Sequence, residues 1–136
     1  MKKVIISGLV AGIVMLVVSI AALYFTIMLF PNLALEYYNP AFRMNDESSS
    51  ILYYIHPFLL GLALAWFWER FKGVLTGSFT MRGIEFGIIY SLIATLPAML
   101  LIYSAMNVTF DLVLTWFLYG FIQSIIAGLV CEKLNP

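Results

Sequence analysis

Polar side chains inside long apolar runs are the first candidates for chemistry, because burying them in lipid is costly. His56 is the foremost. It stands in the run Tyr53-Tyr54-Ile55-His56-Pro57, six residues into an apolar segment and so about 9 Å below its polar edge. An imidazole at that depth can ligate haem or a metal, relay protons, or hydrogen-bond to Asp46, Glu47 or a carbonyl freed by Pro57. A two-histidine haem site needs two imidazoles and the chain carries one His, so haem would have to be shared with a second copy or another subunit. No other residues with metal-ligand spacing accompany it. The expectation is a structural histidine with no cofactor and no metal, with shared haem ligation through His56 the weaker alternative.

Gln123 can hydrogen-bond across a helix interface, an interaction worth about 0.6 to 2 kcal/mol in membranes, or line a substrate path. Packing is the expected role. Glu85 follows Arg82 by three residues, the spacing of a helical ion pair. Every Asp and Glu, Glu85 included, falls at a helix end or in a loop, whereas a proton-coupled antiporter of this size needs a carboxylate near mid-membrane. The lone cysteine, Cys131, makes neither a disulfide framework nor a Cys-x-x-Cys redox pair. No nucleophile-base constellation, phosphate loop or dinucleotide motif occurs, and no enzyme is expected.

The elements that carry these residues follow from composition. Of 136 residues, 63% are hydrophobic and 10% charged, against about 45 to 50% and about 25% in soluble proteins. A domain this small has too little interior to hide that much apolar surface, so its solvent is lipid. Uncharged runs over 4–35, 48–68, 86–110 and 112–131 each supply the roughly 20 residues that cross a bilayer. The expected fold is an all-α membrane protein, one transmembrane domain over 1–136 with helices near 4–30, 49–71, 82–104 and 109–132 and an outer loop over 31–48. Met1-Lys2-Lys3 followed by apolar residues and Ser19-Ile20-Ala21 has the form of a secretory signal. The apolar run continues through Phe30, past the about 7 to 15 residues of a signal core, so a retained first helix is expected.

With the N-terminus in the cytoplasm, Lys2, Lys3, Arg70, Lys72, Arg82 and Lys133 lie inside and only Arg43 lies outside. This predicts an N-in/C-in up-down bundle in the inner membrane. Zero net charge gives no footprint for nucleic acid. The expected partners are the lipid bilayer and copies of the chain itself or other membrane subunits.

Packing signals are more numerous than chemical ones. The third span carries Gly83, Gly87, Ser91 and Thr95 at four-residue spacing, and the fourth carries Gly120, Ser124 and Gly128. Such stripes lie on one helical face and allow close backbone approach. The first span has Gly12, Ser19 and Thr26 at seven-residue spacing, with Gly8 opening the row, and the second has Gly61-x-x-x-Ala65. Small faces on all four spans exceed what one hairpin uses, so at least one is expected to meet another chain. Pro31 should end the first helix, and Pro57 and Pro97 should kink the second and third. Asn45-Asp46-Glu47 reads as a cap for the second. The tripeptide Asn107-Val108-Thr109 has the form of a glycosylation acceptor but lies too close to the bilayer to serve.

The segments Arg82-Gly-Ile-Glu-Phe-Gly-Ile-Ile-Tyr, Leu96-Pro97, Tyr103, Trp116 and Ile126-Ala127-Gly128-Leu129-Val130 resemble the C-terminal half of small four-helix bacterial membrane proteins of unknown function. The resemblance covers about 50 residues and implies a topology and a bacterial inner membrane, with no activity to carry over. Together these readings predict a non-enzymatic membrane protein that works by helix packing, as a homo-oligomer or an accessory subunit. The alternative is a small transporter or channel with a path near His56, Ser91, Thr95 and Gln123.

Overall fold

The computed structural model describes residues 1–40, 42 and 47–136, with side chains described outside 47–50. The chain forms helices α1 (Lys2–Leu29), α2 (Pro31–Glu36), α3 (Glu47–Phe71), α4 (Phe79–Tyr90), α5 (Leu96–Ala105) and α6 (Phe110–Leu134), and no strand occurs among the described residues. A π-helical turn, Ser91–Thr95, joins α4 to α5 into one rod. Four segments are thus long and apolar enough to cross a membrane: Lys2–Leu29, Ile51–Phe71, Phe79–Ala105 and Phe110–Leu134. In lipid the backbone must satisfy its own hydrogen bonds, and a helix does so within one segment.

Two local features depart from the sequence reading. The outer loop is not wholly irregular: Pro31 at the first position starts α2 as well as ending α1, since its fixed φ and missing N–H suit a helix N-terminus. The distortion tied to Pro97 lies upstream of it, as the π turn, which widens the helix where the proline ring would press on the carbonyl four residues earlier. Of the cap expected over 45–47, Asn45 and Asp46 lie outside the described residues and Glu47 is described without its side chain.

The spans alternate in direction and both termini lie at one end of the bundle, where Trp68 Nε1 donates to Asn135 O at 2.8 Å. α1 packs along α3, α4 along α6, and α1 on α6 joins the two pairs. At this terminal end α3 also reaches α4, with the Trp68 and Phe86 rings edge to face at 5.2 Å. The core formed by Ala11, Met15, Leu64, Ala65, Trp68, Phe86, Ala127 and Cys131 is essentially inaccessible.

Glycine sets both close pairs. A methyl at Gly61 would stand 2.7 Å from the Gly12 nitrogen and would also meet the Gly8 carbonyl, so α3 lies on α1 backbone to backbone. On the other pair a methyl at Gly87 would stand 2.5 Å from the Ile125 Cα, and one at Gly128 would meet the carbonyl of Gly83. Gly12 faces Phe58, and Gly120 faces the Thr95 methyl. The small faces are therefore spent on contacts within one chain. This corrects the expectation that a surplus stripe would be left for another chain.

Candidate functional site

The α4·α6 contact brings polar residues from distant parts of the sequence together at the terminal end. Arg82 Nη1 donates to Glu132 Oε1 at 2.8 Å, and Nη2 donates to the carbonyl of Lys72 at 3.1 Å. Its guanidinium also lies 5.7 Å from the Trp68 ring centroid, over the ring's negative face. Glu132, 4% exposed, is the partner of Arg82; the expected partner Glu85 is exposed and takes no part. The reason is geometric, since Gly83 and Gly128 draw the backbones so close that Arg82 spans to the next helix. Around this pair, Asn135 Nδ2 donates to Glu69 Oε2 at 2.6 Å, and Lys72 Nζ donates to Asn135 Oδ1 at 3.1 Å. Arg82 Nε and Glu132 Oε2 are buried without a protein partner.

Midway along the bundle, adjacent residues of α6 bond to opposite neighbours. Ser124 Oγ lies 2.7 Å from Ser91 Oγ and donates to the carbonyl of Gly87 at 3.0 Å, tying α6 to α4 and the π turn. Gln123 Nε2 donates to Ser19 Oγ at 2.5 Å, tying α6 to α1. One turn further, Tyr119 bonds to Thr26 Oγ1 and donates to the carbonyl of Ala22 at 3.2 Å. These lines join the stripe residues Gly83, Gly87, Ser91, Ser124 and Gly128 in one interface and Ser19 with Gln123 in another. Gly12 belongs to the α1·α3 contact, so the seven-residue row on α1 divides between two neighbours.

At the loop end Trp116 Nε1 donates to Tyr37 Oη at 2.7 Å, and Phe42 lies edge to face on Trp116 at 5.9 Å. Burial pushes the Tyr37 hydroxyl above its usual pKa, and the Trp116 hydrogen bond opposes that shift. Thr109 caps α6 by accepting from Leu112 N, and its own hydroxyl donates to Glu36 Oε1 at 2.6 Å.

His56 stands apart. It is exposed and has no hydrogen-bond partner among the described residues. The carboxylates expected to hold it, Asp46 and Glu47, lie outside the residues whose side chains are described. Six consecutive residues of α3, Ile51 through His56, are exposed, which at about 3.6 residues per turn leaves every face of that stretch uncovered. His56 shares a helical face with Leu60, Leu64 and Phe67, which pack into the core. α5 likewise has no buried residue. The four polar residues grouped as a possible path are thus placed apart: Ser91 and Gln123 bond on different flanks of α6, Thr95 abuts Gly120, and His56 is exposed beyond the packed region.

Glu132, Asn135, Tyr119 and the Tyr37–Trp116 pair were missed from sequence. Tyr119 carried a signal, since it precedes Gln123 by four residues and so shares its face; the others depend on pairings far apart in the chain. Among the described residues no three His, Cys, Asp or Glu side chains gather as a metal site would require. Comparison with protein-family profiles, with curated proteins and with solved structures returned no match in any of the three.

Proposed function

We propose a non-enzymatic accessory protein of the bacterial inner membrane, with both termini in the cytoplasm. It works by packing the loop-end half of α3, and the exposed α5, against other membrane helices, in the first instance those of a second copy. The observation that carries this reading is His56. A polar side chain at bilayer depth is costly without a hydrogen-bond partner, and this one is exposed on a stretch whose residues 51–56 are all exposed, with no hydrogen-bond partner among the described residues. A neighbouring helix that supplies a hydrogen-bonding group would remove that cost. The small-residue stripes do not enter the proposal, because their contacts are internal. Lys2, Lys3, Arg70, Lys72, Arg82 and Lys133 supply the positive charge at the terminal end, which supports the orientation.

The test is cysteine cross-linking in native membranes, with the buried Cys131 replaced by Ala. Ile55→Cys, next to His56 and 43% exposed, should form a disulfide-linked dimer under mild oxidation. Val17→Cys on α1, 62% exposed and facing elsewhere, should not. His56→Leu should shift the native gel band toward the monomer. Equal cross-linking at both positions, or none at Ile55→Cys, overturns the proposed face. An adduct of fixed mass with a different protein keeps the face and replaces the second copy as its occupant.

A further inference from the structure

A second surface lies between α1 and α6 at the loop end, away from α3 and α5. There a groove of about 640 Å³ runs along the outside of the bundle. Its walls at hydrocarbon depth are Phe25 and Leu29 from α1 and Leu118 and Ile122 from α6, each roughly half exposed. Its outer end is polar, closed by Asn32 of α2 and Asp111 in the first turn of α6. The groove is mostly apolar along its length, with Thr115 and Tyr119 among its lining, and polar at one end, the end where α6 begins.

Its length points to what fills it. From Asp111 to Ile122 is eleven residues of helix, about 16 Å at about 1.5 Å per residue. Half of a hydrocarbon core about 30 Å thick is about 15 Å. The groove is therefore one leaflet deep, with its polar end at headgroup level, the dimensions and polarity of a single lipid. A second transmembrane helix would continue past the midplane, where the groove ends.

Charge narrows the headgroup. Asp111 suits the α6 dipole, yet among the described residues its carboxylate accepts no hydrogen bond. The neighbouring carboxylate, Glu36, is by contrast held by the Thr109 hydroxyl and backbone N–H. A carboxylate at the head of the groove with no partner among the described residues complements a primary ammonium, which brings a charge and three donors in compact form. A quaternary ammonium brings the charge without the donors, and a glycerol headgroup leaves the lipid anionic. We infer that the groove between α1 and α6 holds one glycerophospholipid with a primary-ammonium headgroup, its acyl chain along Leu118 and Ile122 and its ammonium against Asp111.

The experiment is native mass spectrometry of the full chain, delipidated in mild detergent and then offered phosphatidylethanolamine, phosphatidylglycerol or phosphatidylcholine of identical acyl composition. The ethanolamine lipid should be retained as a single adduct at about fivefold lower concentration than the other two, the size of effect one exposed ion pair can give. Asp111→Asn should erase the preference and leave weaker, equal retention of all three. Ile122→Trp should fill the groove and lose the adduct for every lipid, while Leu100→Trp on α5, the same change on a surface away from the groove, should keep it. Equal retention of the three lipids by the unaltered chain overturns the headgroup assignment, and unchanged retention in Ile122→Trp overturns the groove.

Discussion

The two ends of the bundle are built on different principles. At the terminal end backbones touch through glycine, Trp68 and Phe86 are fully buried, and Arg82 is held at once by Glu132, the Lys72 carbonyl and the Trp68 ring. At the loop end Thr26 and Tyr119 join α1 to α6, and Tyr37, at the end of α2, bonds to Trp116 of α6, but α5 has no buried residue and residues 51–56 of α3 are all exposed. Lipid tails are as apolar as leucine, so apolar burial does not drive these helices together as it would in water; close van der Waals contact and interhelical hydrogen bonds must do so. Glycine and buried polar pairs are concentrated in the terminal half and the middle. That distribution decides where this bundle holds itself together and where it is free to meet something else.

The sharpest way to break the contrast is to place the same bulk on both sides of it. Gly61→Leu or Gly128→Leu sets a side chain against backbone that cannot yield, with the Gly12 nitrogen 2.7 Å from the first added carbon at Gly61 and the Phe86 ring 3.2 Å from that at Gly128. The cost should reach or pass the ~3 kcal/mol upper end of ordinary overpacking, seen as loss of the folded band in denaturant titrations followed by circular dichroism. Ala98→Leu in α5, exposed in the chain, should change stability by less than about 0.5 kcal/mol. Comparable losses at both ends would erase the distinction.

Next in size is the buried pair. Arg82→Met leaves the Glu132 carboxylate, 4% exposed, without its cation. Removing one partner of a buried pair costs about 3 to 5 kcal/mol, and the lower figure is expected here because Arg82 is 21% exposed. Adding Glu132→Leu should restore most of the loss, since the stranded charge rather than the missing attraction carries the penalty. A double variant as unstable as Arg82→Met would assign the cost to the Trp68 and Lys72 contacts instead.

What the sequence disclosed and what it hid follow from the same physics. The four spans are legible because lipid imposes length and apolarity on each segment separately, with no reference to its neighbours. The pairing of Gly83 and Gly87 with Ser124 and Gly128 is half legible: the stripes show on each helix, but a stripe does not name the helix it meets. For Arg82 the nearest acid along the chain was Glu85, while the true partner Glu132 is 50 residues away and reached only because two glycines lower the distance between helices. The π turn was hidden for a different reason. Pro97 announces a disturbance, but whether a helix kinks, breaks or widens depends on the space around Ser91 and Thr95, which only the packed bundle defines. His56 was legible as the residue to watch, and its exposure was not.

The smallest expected effect tests the open half most directly. Leu100 and Leu101 on α5 are 61% and 68% exposed. Replacing both with Ala removes apolar volume that touches little else in the chain and leaves no cavity to destabilise it. In the purified monomer the double variant should unfold within about 0.5 kcal/mol of the parent, the range of surface changes away from any special feature. The same substitutions made in membranes where Ile55→Cys cross-links should lower the cross-linked fraction, because the proposed contact includes α5. If monomer stability falls by several times that amount, α5 is packed more closely than its exposure indicates. If stability and cross-linking both stay unchanged, the contact runs along α3 alone and the boundary between the closed and open halves lies at the π turn, leaving α5 to lipid.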